Sequence, residues 1–333
     1  MNCQSALNHP LAKGGTVTTT LSARQIGATA YAAMFEFDRS WSVLASVSGA
    51  IYIESDVGEI LWLAESPSAL HQRAILLPGM PAKLLAAGTE CHVRQDCLHV
   101  GVNLVIRFCD AELWRPKPRA RDAGSASEAA RQITAAIDQA AMRSPPKGLL
   151  ASVLFPHAAR GGRASRNAVE QEFVATASRA IESLRQAPTG LNLLGRLQDA
   201  VGLVGLGHGL TPSGDDLLGG FLYTHHVLDS PSWRSLSLDG EGVDGWLRQV
   251  RLLTNKISFA ILADLVRGDA VAPLCEFLNA ALTREPLERL VRLAGRVSAI
   301  GQSSGWDILA GAHCACASVE RTVDYDSAFS AVY

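Results

Sequence analysis

The sequence has no Cys-x-x-Cys pair, no long apolar run and no excess of basic charge, and each absence removes a class of protein. The seven cysteines, at positions 3, 91, 97, 109, 275, 314 and 316, are odd in number and scattered. They fit reduced thiols in a cytoplasmic chain rather than a zinc ribbon or a disulfide framework. Without an uninterrupted apolar stretch of about 18 residues, no membrane span is expected. The first residues lack a basic stretch followed by an apolar run, so no secretory leader is expected. A net charge of −2 offers no field for nucleic acid or an anionic membrane. The one basic run, RPKPRAR at 115–121, alternates proline with charge and reads as a solvated connector.

What is present is an ordinary globular balance, 48% hydrophobic and 19% charged over 333 residues, enough for two domains. Residues 1–30 read as irregular. From 41 to 114, short runs rich in Val, Ile and Leu alternate with breaks at Asp56-Val-Gly58, Pro78-Gly79 and Ala87-Gly88. That spacing predicts a small β sandwich or open barrel. From 127 onward, apolar residues recur three and four apart, predicting helices over 127–142, 165–186, 189–203, 213–228, 243–267, 286–300 and 304–320. The Ser-, Asp- and Gly-rich stretch 230–242 is expected to be an exposed loop. The fold class is α+β: a β-rich N-terminal domain over 1–118 and an all-helical domain over 119–333.

The most informative segment is GLGHGLTPSGDDLLGG, residues 205–220. Gly205, Gly207 and Gly209 allow positive φ and close approach of a ligand. Pro212 blocks helical entry, and Ser213 is a candidate N-cap with Asp216 three residues on, so Gly214, Asp215 and Asp216 should offer unpaired amides. Neither nucleotide signature fits: G-x-G-x-x-G is incomplete, and Asp215 and Asp216 stand where a P-loop has Lys and a hydroxyl. A second copy follows: Ser304-Gly-Trp-Asp-Ile-Leu-Ala-Gly311 matches Ser213-Gly-Asp-Asp-Leu-Leu-Gly-Gly220 at Ser, Gly, Asp, Leu and Gly. Two ordinary capped helices would explain this much. Gly219 and Gly220 inside a helix, each costing about 1 kcal/mol relative to Ala, and the extra acid Asp215 favour a ligand site instead.

Amides and hydroxyls at two helix starts attract oxyanions, whereas Asp216 and Asp307 accept from N–H groups. A small ligand with an anionic end and an –NH2 end satisfies both. The alternative is Mg²⁺ or Mn²⁺ held by Asp215, Asp216 and Asp307. Thr254, Lys256 and Ser258 form a third polar segment, expected within one long helix, with Lys256 able to neutralise an anion; a solvent-facing stripe is the plainer reading. His208, in the glycine loop, is a further ligand candidate. His225-His226 and His313-Cys-Ala-Cys316 suggest zinc, but adjacent helical histidines diverge by about 100°, which favours packing.

GLGHGLTPSGDDLLGG, TNKISFAILADLVRG (254–268) and GQSSGWDILAGAH (301–313), in this order, resemble the AllH family, whose namesake is a subunit linked to oxamate carbamoyltransferase in anaerobic allantoin degradation. The resemblance covers roughly 200–315. It implies carbamoyl transfer between oxamate or oxalurate and phosphate, alongside partner subunits of the AllF and AllG kind. By motif position it marks Gly207, Gly209, Thr211, Ser213, Gly214, Asp215 and Asp216, then Thr254 and Ser258, then Ser303, Ser304, Gly305 and Asp307. Lys256 stands where a small residue or proline is expected. Two other functions fit the residues: a metal-dependent hydrolase of an amide or N-glycosyl bond, and a non-catalytic scaffold that binds a small acid or completes a partner's site.

Overall fold

A computed structural model describes residues 18–80, 85–117, 125–154, 168–185, 193–238 and 240–330. They fall into two compact units, one within Met1–Ser66 and Arg73–Trp114, the other within Pro67–Gln72 and Arg115–Tyr333. The expected irregular start (residues 1–17), most of the connector (118–124) and the beginnings of two expected helices (165–167 and 189–192) lie outside the described residues.

The first unit carries a single open sheet, curled as half a barrel, with ten strands among the described residues. They are β1 (Thr19–Ser22), β2 (Gln25–Gly27), β3 (Trp41–Val47), β4 (Ala50–Ser55), β5 (Ile60–Ala64), β6 (Ala74–Leu76), β7 (Glu90–Arg94), β8 (Cys97–Val100), β9 (Leu104–Arg107) and β10 (Glu112–Trp114). Their order is β1-β9-β8-β7-β3-β4-β5-β6-β2-β10, with β1/β9, β2/β10 and β5/β6 parallel. Alternation explains the faces: in β4, Ile51, Ile53 and Ser55 point inward and their neighbours do not. Gly49, at φ +84, makes the tight turn between β3 and β4. Ile51, Ile53, Leu61, Leu63, Ile75, Leu98 and Ile106 form the core with Ala30, Ala33 and Met34 of α1 (Ala28–Phe35); β1, β2 and the start of α1 lie in the stretch 1–30 that was expected to be irregular.

The second unit is helical: α2 (Ala126–Arg143), α3 (Gly148–Leu154), α4 (Ala168–Arg185), α5 (Leu193–Asp199), α6 (Ser213–Leu228), α7 (Pro231–Leu238), α8 (Gly240–Val250), α9 (Lys256–Val266), α10 (Ala272–Leu282), α11 (Leu287–Ser298) and α12 (Ser304–Ser330). The chain is therefore α+β, strands first and helices after, as expected. Among the described residues no helix is long and apolar enough to cross a membrane.

Two expectations are corrected. The single helix over 243–267 is two, because Asn255 caps α9: its Oδ1 accepts from the amides of Ile257 and Ser258, both at 3.0 Å. The loop over 230–242 is mostly helix, because Ser230 initiates α7 with its Oγ on the Trp233 amide at 3.1 Å.

The unit is organised around α6 and α12. Nearly every residue of α6 is buried, its glycines included. A Cβ on Gly220 would lie 2.1 Å from the Ile308 carbonyl oxygen, and one on Gly311 would lie 1.9 Å from that of Leu217. The two backbones thus meet at their glycines. Close packing offsets the helix-propensity cost of about 1 kcal/mol per glycine, and it brings the two helix starts together.

Candidate functional site

Both starts are built by the same backbone device. Before α6, Leu206 N–H donates to the Leu203 carbonyl (2.9 Å) and Gly214 N–H to the Leu206 carbonyl (2.9 Å). Before α12, Ile300 N–H donates to Val297 (3.0 Å) and Gly305 N–H to Ile300 (3.0 Å). A Cβ on Gly214 would sit 1.9 Å from the Leu203 oxygen, and one on Gly305 would sit 1.9 Å from that of Val297. Gly207 (φ +127) and Gly301 (φ +59) make the matching turns against Ser213 and Ser304. The internal repeat seen in eight residues therefore extends to the turn that precedes each helix.

This device corrects the expected caps. Pro212, not Ser213, is the N-cap of α6, with no side-chain cap bond, and Ser213 is the first helical residue. The amides of Asp215 and Asp216 bond to the Pro212 carbonyl at 3.0 and 3.1 Å, and that of Asp307 bonds to Ser303 at 2.9 Å. The amides of Gly214, Asp215 and Asp216 are thus paired rather than open to an anion. The reason is the glycine, which lets the preceding turn fold its carbonyl over the helix end.

The acids lie beneath the hydroxyls. Asp215 is a clasp: its Oδ1 accepts from the Gly205 amide (2.8 Å), and its Oδ2 accepts from Ser258 Oγ (2.6 Å) and from Thr254 Oγ1. Asn255 Nδ2 donates to the Leu210 carbonyl at 3.0 Å and closes the same seam. Thr254 and Ser258 thus join α9 to α6. Lys256, His208 and Gly209 are exposed nearby.

Asp216 and Asp307 are buried and engage each other's helix. Asp216 accepts from Ser304 and Thr211, while Asp307 accepts from Ser213 and Ser303. Thr211 Oγ1 and Ser304 Oγ are 2.9 Å apart. The Leu149 amide donates to Asp307 Oδ1 at 2.6 Å, and Gly148 (φ +57) is tight against that carboxyl. Burial holds Asp216 well above the usual carboxylate range, aided by the charges of Asp307 and Asp215 and opposed by the two hydroxyls. Burial likewise raises Asp307 to about 6, against the Leu149 amide and the two serines. One oxygen of each carboxyl, Oδ2, is sealed from solvent with no hydrogen-bond partner among the described residues.

The alternative, a Mg²⁺ or Mn²⁺ set, does not fit the described residues. Among the described residues no three His, Cys, Asp or Glu side chains converge as metal ligands. Asp215 faces three protein donors, and Asp216 and Asp307 face opposite helix starts. The histidines pack instead. His225 Nδ1 lies 2.8 Å from Ser230 Oγ, and burial beside Arg196 lowers His225 to about 3. His313 Nε2 is 3.5 Å from Asp138.

The matched segments now have a common place in space, and a family comparison covers them. Residues 203–316 match the AllH family, described as oxamate carbamoyltransferase subunit AllH. The match is about a third of the chain. It bears out the resemblance drawn from the three motifs, and the AllH region holds both helix starts, the Asp215 clasp and the α6–α12 crossing. Neither curated proteins nor solved structures yield a match. Two contributors were missed in the sequence. Leu149 carried no signal, because it reaches Asp307 only through folding. Asn255 had one, a strong N-cap residue before an apolar run.

Proposed function

We propose that this chain is a cytoplasmic subunit of a carbamoyltransferase acting on oxamate or oxalurate and carbamoyl phosphate, or on a related small ureido or amide acid. It works in purine catabolism with partner subunits of the AllF and AllG kind. The AllH match supports the class of complex. The crossed pairing of Ser213 with Asp307 and Ser304 with Asp216 is the observation that carries the assignment to this site.

In oxalurate phosphorolysis, a phosphate oxygen bonds to the carbamoyl carbon and the carbon–nitrogen bond breaks. The nitrogen takes a proton and leaves as oxamate. Such a step needs two small substrates held in register and a proton delivered to the departing nitrogen. Two buried carboxyls with raised proton affinity suit that transfer. The hydroxyls of Thr211, Ser213 and Ser304 give their protons to those carboxyls and are half-buried, so the acceptor oxygens they present suit the –NH2 end of a substrate. Asp216 and Asp307 are the proton-handling residues in this reading, with Asp215 fixing the glycine turn before α6.

The test is oxalurate phosphorolysis by the chain purified with its partner subunits. Ser213→Ala and Ser304→Ala are each expected to lower turnover 10-fold or more, at about one to two kcal/mol of transition-state stabilisation. Full activity in the double variant overturns the assignment. A second reading has its own observation: all three acids are buried among protein donors. On that reading the region completes a partner's site without handling substrate, and the same variants disturb assembly while sparing turnover in whatever complex forms.

A further inference from the structure

The two acids of the duplicated site are not held alike. Each accepts one hydroxyl from the other helix start and one from its own: Asp216 from Ser304 and Thr211, Asp307 from Ser213 and Ser303. Asp307 has a third donor. The Leu149 amide, at the start of α3, meets its Oδ1 at 2.6 Å. Gly148 makes that approach possible, because at φ +57 a Cβ would strike the Asp307 carboxyl itself. Among the described residues no backbone amide does the same for Asp216. Gly148 and Leu149 belong to neither copy of the repeat and lie outside the AllH match.

A donor to a carboxyl oxygen stabilises its charged form, and a backbone amide, unlike a hydroxyl, cannot turn to another acceptor. We infer that the Gly148–Leu149 turn is a positioning element that makes the pair unequal, fixing Asp307 as the carboxylate and Asp216 as the neutral acid. The surroundings agree. The charge of Asp307 raises Asp216 further, as does that of Asp215, its neighbour on α6. Helix α3 carries no titratable side chain, and the next one along α12 is His313, beside Asp138 of α2. The cations of α2 and α11 are engaged elsewhere, Arg143 with Glu288 and Arg296 with Glu276, while Glu182 and Arg185 of α4 bear on Cys314. The chemical roles rest on the carbamoyltransferase reading; the order of ionisation does not. In that reading Asp216 gives its proton to the departing nitrogen, and Asp307 recovers the proton of the attacking hydrogen phosphate. Return of that proton to Asp216 restores the pair.

The experiment is a titration of the aspartate carboxyl ¹³C resonances of the full chain from pH 4 to 8, with Asp216→Asn and Asp307→Asn to assign them. Asp307 is expected to ionise at about 6 while Asp216 keeps its proton. Asp216 ionising at or below the Asp307 midpoint overturns the inference, and this arm needs no altered protein beyond the assignment. Leu149→Pro and Leu149→Ala both lose a buried side chain, but only the first loses the N–H. Leu149→Pro should raise the Asp307 midpoint by about one pH unit or more relative to Leu149→Ala. Gly148→Ala, which keeps Leu149 but pushes the carboxyl off its amide, should raise it in the same direction. Equal Asp307 midpoints in Leu149→Pro and Leu149→Ala overturn the inference. The pH–rate profile of oxalurate phosphorolysis by the reconstituted complex tests the roles separately. Its acid limb should follow the Asp307 midpoint from Leu149→Ala to Leu149→Pro. A limb that stays in place while the midpoint moves overturns the carbamoyltransferase reading of the pair and leaves the order of ionisation standing.

Discussion

Gly220 and Gly311 are counterparts: each removes the Cβ that would strike the partner helix, at the Ile308 carbonyl in one case and the Leu217 carbonyl in the other. Leu217 and Ile308 occupy matching positions of the repeated octapeptide, so the contact is reciprocal. The same reciprocity sets Ser213 against Asp307 and Ser304 against Asp216. Sequence duplication, helix crossing and site geometry are three expressions of one arrangement.

The crossing predicts unequal costs for alanine at glycine. Gly220→Ala and Gly311→Ala place a methyl against backbone that cannot rotate away, and each should cost about 3 kcal/mol or more. Gly219→Ala meets the Leu265 Cδ1 end, which can move, and should cost less. Gly295→Ala, with nothing within 4 Å in α11, should stabilise by about 1 kcal/mol. Urea unfolding measures all four.

The Asp215 clasp predicts coupling between segments distant in sequence. Asp215→Ala leaves the Gly205 amide and the Ser258 and Thr254 hydroxyls without their acceptor, and should cost about 2–4 kcal/mol. Ser258→Ala should cost about 1 kcal/mol. The double variant should fall short of the sum by an interaction term of about 1 kcal/mol. Strict additivity in the double-mutant cycle would show that the clasp does not form.

Asp307 predicts a pH signature. Its folded pKa, about 6, exceeds the ordinary 3.8, so the native chain binds a proton more tightly than the unfolded one. The group's contribution to stability therefore falls as pH rises from about 4 to about 6 and is flat above. The span corresponds to about 3 kcal/mol. Asp307→Asn should gain on the unaltered chain across that window and hold a constant difference beyond it. Unfolding free energies of both proteins from pH 4 to 8 provide the measurement.

Metal removal is the fourth prediction. Because the three aspartates face protein donors, exhaustive chelation should leave both melting temperature and reconstituted activity unchanged. A loss restored by Mg²⁺ or Mn²⁺ would contradict the donor arrangement described for Asp215, Asp216 and Asp307.

Much of the architecture was legible because local chemistry set it. Helix α6 begins at Ser213 because Pro212 holds an extended backbone and apolar residues follow at helical spacing. Short Val- and Ile-rich runs announced the sheet. Its single ten-stranded order was hidden, since pairings such as β1 with β9 depend on contacts far apart in sequence. Ser230 and Asn255 misled in opposite ways. One lay in a polar stretch that reads as loop yet initiates a helix. The other interrupted an apolar period that reads as continuous. At the two helix starts, the role expected of the glycines was inverted. Gly214 and Gly305 close the helix starts with backbone carbonyls rather than opening them to an anion. That depends on what folds over them, which no local pattern records.

The central claim, that Asp216 and Asp307 handle the proton of carbamoyl transfer across the paired helix starts, is tested most directly by one rate. It is oxalurate phosphorolysis by the intact complex carrying Asp216→Asn and Asp307→Asn together, compared with the unaltered complex at equal assembly. The account predicts a fall of at least 100-fold. An unchanged rate in an equally assembled complex would place the chemistry in another subunit.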